Sequence, residues 1–110
     1  MAKTRDQLIQ RAAERLQVAQ AGQPLAAEDR ELIDANVVPV LRDLAARRVC
    51  DIVNPNNIPD ELFLGLADCL AAACAEDFGA TFDGAAAEVR LRAATARYGY
   101  SGAPVRTDYF

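Results

Sequence analysis

Pro59-Asp60-Glu61-Leu62-Phe63-Leu64-Gly65-Leu66-Ala67-Asp68-Cys69-Leu70-Ala71-Ala72-Ala73-Cys74-Ala75 is the stretch on which the fold turns. A proline followed by two acids is helix-start chemistry, because the ring suits the first helical position and the carboxylates suit the positive end of the dipole. From Leu62 to Ala75 the sequence is apolar on almost every side, broken mainly by Gly65 and Asp68. Such a helix is central and buried. Gly79, after Phe78, supplies a C-terminal cap.

The flanking sequence is helical in period as well. A first helix is expected from about Arg5 to Gln20, with Thr4 and Gln7 as a capping box. Its apolar stripe is Leu8, Ile9, Ala12, Ala13, Leu16 and Ala19, and Gly22 and Pro24 stop it. A second helix begins near Ala27 with Glu28, Asp29 and Glu31 early, and turns Ile33, Val37, Val40, Leu41, Leu44 and Ala45 inward. Pro39 inside it kinks or splits it, since proline cannot donate to the carbonyl four residues back. Val49–Val53 is β-capable, and Asn54-Pro55-Asn56-Asn57 is a loop. The last helix takes Asp83 as N-cap and runs to about Tyr98. The expected fold is all-α: one small bundle of about four helices in a body of residues 1–98, with an extended C-terminal tail at 99–110.

Composition excludes several functions. The chain has 110 residues, 52% of them apolar and a quarter charged, which describes one globular domain. Charge is segregated. Residues 1–50 carry eight bases and seven acids, 51–83 carry seven acids and no base, and 84–110 carry four arginines against Glu88 and Asp108. The net charge of −4 lacks the basic footprint of a nucleic-acid binder. Eleven of the twelve bases are arginine, which suits planar protein contacts, although codon bias explains the same excess. There is no histidine, and Cys50, Cys69 and Cys74 have neither metal-ligand spacing nor an even count. Those thiols read as small buried hydrophobes in a reducing compartment. No phosphate loop or nucleophile motif is present, so no catalytic residue, cofactor or metal is expected. The opening residues lack an apolar targeting core, no run is long enough to span a bilayer, and synthesis in the cytoplasm is expected.

Three features point outward instead. The last helix has two apolar stripes, Ala86, Val89, Ala93, Ala96 and Tyr100 on one face and Ala87, Leu91, Ala94 and Tyr98 on the other. Either both form one wide buried face, or one stripe is left for a neighbour. The stripe assigned to a neighbour is Ala87, Leu91 and Ala94. Glu76 and Asp77 stand at the unfavourable end of a helix dipole, and either solvent or an arginine from this or another subunit answers them. The C-terminus gathers aromatics and arginine in Tyr98, Tyr100, Arg106, Tyr109 and Phe110, the residue types that anchor interfaces.

Spaced residues also carry a family resemblance. Thr4-Arg5-Asp6-Gln7-Leu8, Leu16-Gln17-Val18 before a loop with Gly22, and Asp29 opening the second long helix are part of it. Leu41-Arg42-Asp43-Leu44, Ile58-Pro59-Asp60-Glu61, Leu66-Ala67 and Phe78-Gly79 complete it. Over residues 4–80 the chain resembles the head-to-tail adaptor, or tail accessory factor, family of tailed bacteriophages. Members often have Leu-Gly-Val where this chain has Leu16-Gln17-Val18. The resemblance implies a homo-oligomeric ring of about a dozen copies in the virion neck. Such a ring binds the portal protein, seals packaged DNA and offers a platform to the next tail or stopper component. The aromatic tail would then dock on the portal, with Glu76 and Asp77 between subunits. DNA passes the channel without specific binding, and no membrane is involved. The other class of function is a small helical regulatory or DNA-binding protein with arginines on phosphate.

Overall fold

The computed structural model describes residues 2–20 and 23–102, with side chains described through Tyr98. Four α-helices follow one another: α1 (Arg5–Arg15), α2 (Ala27–Ala46), α3 (Asp60–Cys74) and α4 (Gly84–Gly102). A 3-10 turn, Ala75–Phe78, extends α3. Among the described residues there is no strand. Val49–Val53 forms none, and the one β-bridge joins Lys3 to Ile58, whose amides and carbonyls exchange bonds of 2.8 and 2.9 Å.

The expected all-α bundle is what forms, and α3 is its axis. It packs against each of the other three helices, whereas α4 packs on α3 alone. Its buried side chains, from Leu62 to Cys74, meet Leu8, Ile9, Ala12 and Ala13 of α1 and Ile33, Val37, Leu41 and Leu44 of α2. From α4 come Ala87, Leu91 and Ala94. Helices α3 and α4 run antiparallel, with Gly84 beside Ala72 and Gly65 beside Leu91. Gly65 makes that approach a close one. A Cβ on it would lie 3.2 Å from the Leu91 Cα, so the two backbones touch where the side chain is missing.

Caps explain the helix starts. Thr4 Oγ1 accepts from the Gln7 amide at 3.2 Å while Gln7 Oε1 accepts from the Thr4 amide at 2.8 Å. Asp83 Oδ1 accepts from the Ala86 amide at 3.0 Å. The ends follow one geometric rule. After α1 the Val18 amide reaches the Ala13 carbonyl and the Gln17 amide that of Glu14, and Gln17 takes a left-handed φ of 62°. After α2 Val49, Leu44, Arg48 and Ala45 repeat the pattern, with Arg48 at φ 59°. After the 3-10 turn Ala80, Ala75, Gly79 and Glu76 repeat it again, with Gly79 at φ 66°. All three are Schellman closures, but only one has the residue that favours it.

Two expected boundaries move, at the ends of α1 and α4. Helix α1 ends at Arg15 rather than near Gln20, because the left-handed Gln17 turns the chain. Pro39 does not split α2, which is helical on both sides of it. Ala35, whose carbonyl loses its helical partner to Pro39, is an exposed residue. Helix α4 continues through Gly102 instead of giving way to an extended segment at Gly99. Residues 103–110 of the expected tail lie outside the described residues.

Candidate protein-contact surfaces

The apolar axis carries one charge. Asp68 sits on α3 with its side chain only 7% accessible, and it is the buried charged residue among those described. Arg15 of α1 donates from Nε to its Oδ1 at 2.8 Å, and Arg90 of α4 donates from Nη1 to its Oδ2 at 2.9 Å. One carboxylate thus joins three helices. The same guanidinium of Arg15 lies over the Phe82 ring, 5.5 Å from its centre, in the segment that leads into α4. A hollow of about 340 Å³ beside them is lined by Arg15, Asp68, Thr81, Phe82 and Arg90. Its two bases face two acids, Asp68 and Asp83, so it presents no net charge to a ligand.

A second cluster pins α4 to the end of α2. Arg47 bonds Asp43 at 2.8 Å and also Glu88, while Arg92 reaches Glu88 at 3.3 Å and the Arg47 carbonyl at 3.5 Å. Flanked by Arg47 and Arg92, the Glu88 carboxyl is held below its ordinary value, and the two carboxylates raise Arg47. Arg5 with Asp34, and Arg30 with Asp6, tie α1 to α2 in the same way.

These pairings set which face of α4 is free. Ala87, Leu91 and Ala94, expected to meet a neighbouring subunit, are 4%, 0% and 9% accessible and face α3. That assignment is corrected: the stripe belongs to the monomer core, because Gly65 lets α3 come close enough to cover it. Ala86, Val89, Ala93 and Ala96, the other stripe, are all exposed, Val89 at 67%. Glu76 and Asp77 are exposed on the 3-10 turn, and neither forms an ion pair among the described residues. Tyr98 is partly exposed at 39%. The side chain of Tyr100, and the whole of Arg106, Tyr109 and Phe110, lie outside the described residues.

Sequence reading missed the Asp68 clamp. Its signal was present: a lone acid in a helix apolar all round must be paired, and arginine is the residue for it. Two other features bear on chemistry. Burial pushes all three thiols up to about 11, away from the reactive thiolate. Among the described residues no group of three acids or thiols is placed to hold a metal ion. No helix among them is long and apolar enough to cross a membrane. The surface carries an apolar face on α4, the exposed acids Glu76 and Asp77 beyond α3, and an open loop whose Val53 is 90% accessible. No family model matches this chain, and no curated protein or solved structure matches it either.

Proposed function

We propose that this chain is a non-catalytic head-to-tail adaptor of a tailed bacteriophage, working as a ring in the virion neck. The observation that carries the reading is the outward face of α4, where Ala86, Val89, Ala93 and Ala96 stand exposed in one apolar stripe. The body would make contacts within the ring, with Glu76 and Asp77 placed for an arginine of a neighbour. Tyr98, Tyr100, Arg106, Tyr109 and Phe110 would engage the portal, and the next tail or stopper component would dock on the finished ring. The acidic run from Asp51 to Asp83 suits a conduit that lets DNA phosphates slide. A DNA-binding reading finds less support, since Arg5, Arg15, Arg30, Arg47, Arg90 and Arg92 already pair with carboxylates of their own chain.

Mixing the full chain with the phage portal ring, and imaging the product, tests the proposal. A portal capped by a ring of the small protein is the expected result. A chain ending at Gly102 should keep its helicity and melting temperature yet lose most of its portal binding. Normal binding by the truncated chain, or a retarded band on duplex DNA that fades with salt, would sink the reading.

A further inference from the structure

The outward face of α4 has a register as well as a composition. Ala86, Val89, Ala93 and Ala96 are separated by three, four and three residues, the spacing of a coiled-coil seam. Along one edge of that face Asp83, Arg90 and Arg97 recur every seven residues. Arg90 is committed to Asp68. Arg97 forms no ion pair among the described residues, and Asp83 uses one carboxylate oxygen on the Ala86 amide. The edge is therefore acidic at the start of the helix and basic towards its end.

We propose that this face pairs with the same face of a second copy, the two α4 helices antiparallel across a two-fold axis. Charge selects the direction. A parallel pair would set this edge against the opposite one, bringing Arg97 of one copy beside Arg92 of the other, and like charges there repel. Reversal brings Asp83 of one copy towards Arg97 of the other, twice by symmetry. The apolar positions agree, because they are symmetric about residue 91. Val89 then meets Ala93 of the second copy and Ala86 meets Ala96, so a large side chain faces a small one at each step. In that register Asp83 and Arg97 are offset by about 3 Å of helix rise, within an arginine's reach. The alanines allow an axial separation near the lower end of roughly 8–10 Å. Arg90 comes near its own image at the middle of the edge, where Asp68 already neutralises it.

An isologous contact closes on itself and stops at two copies. The pairing concerns the free chain and does not rest on the adaptor reading. In an adaptor it would hold the α4 face shut until assembly replaced the second copy by a different neighbour.

Sedimentation equilibrium of the full chain, free of any partner, gives the mass. A monomer–dimer equilibrium is expected. Val89→Asp should weaken it by more than about a hundred-fold, because two unpaired carboxylates would be buried. Its circular dichroism and melting should stay those of the parent, since Val89 is exposed in the monomer. Arg97→Glu should weaken it roughly two- to ten-fold, the effect of a rim ion pair. Direction is read by disulfide trapping, for which the buried native thiols are poorly reactive. A mixture of Val89→Cys and Ala93→Cys chains should cross-link faster than either variant alone. A monomer at every concentration, a mass above the dimer, no effect of Val89→Asp, or faster cross-linking of Val89→Cys with itself would each overturn the pairing. None of these outcomes depends on the portal.

Discussion

Two residues hold a backbone conformation that their side chains disfavour. Gln17 and Arg48 are left-handed because each closes a helix with a Schellman pair, and the Cβ crowding costs about 1–2 kcal/mol. Glycine removes the crowding but loosens the unfolded chain, offsetting part of the gain. Gln17→Gly is therefore expected to raise unfolding stability by roughly 0.5–1 kcal/mol in urea titration. A loss would mean that the Gln17 side chain makes a contact worth more than its strain. The position also shows why the end of α1 was hard to read: no glycine marked it, whereas Gly79 marked the third closure plainly. At Asp68 the expectation is a loss. Asp68→Asn leaves two guanidiniums without their carboxylate, and since both are part-exposed, solvent absorbs some of the charge. A decrease of about 1–3 kcal/mol is expected by the same titration. Arg15→Ala or Arg90→Ala alone should cost less, because the other arginine stays. Equal losses for all three would show that the arginines act only together.

At the scale of the element, α4 carries the main error of sequence reading and its repair. Both stripes are mostly alanine, so periodicity identifies two faces without ranking them. What ranks them is tertiary. Gly65 admits the Leu91 face to α3, and Asp68, on the same helix, draws Arg90 to one side. Helices α1 and α2 were legible because each has a single stripe of larger residues, Leu8 and Ile9 on α1 and Ile33, Val37 and Leu41 on α2. Leu91→Asp, which a surface role would tolerate, should now abolish cooperative folding. A buried carboxylate with no partner exceeds what a bundle of this size can spare. A near-native circular dichroism melt for Leu91→Asp would return that stripe to the surface.

For the whole molecule, the thiols set a pH limit on stability. Cys50, Cys69 and Cys74 have an ordinary value of 9.0 and rise to about 11 in the fold. A raised acid is stabilising below its unfolded value and loses that advantage as pH climbs through its folded one. Melting temperature should therefore be level up to about pH 9 and fall between there and about pH 11. A variant with all three changed to Ala should start lower and lose the alkaline decline. At the acid end Glu88 acts oppositely, since its lowered value supports the fold above the ordinary carboxylate range and fails as pH drops through the folded value. The bundle, its core and its class were legible because they follow from burial. Its contacts were less so, because which face stays wet depends on how four helices divide one axis.

That division has a consequence in time. Helices α1 and α2 pack on each other and on α3, but the backbone of α4 packs on α3 alone and reaches the end of α2 only through the Arg47 side chain and carbonyl. Whichever single neighbour leaves, α3 keeps the other two packed on it, so its amides should exchange with solvent deuterium only through global unfolding. Helix α4 can peel away as one unit once Arg15, Arg47 and Asp68 release the ion pairs and the Phe82 contact that tie it down. Its amides should exchange earlier and together, which makes α4 the hinged panel of an otherwise closed box.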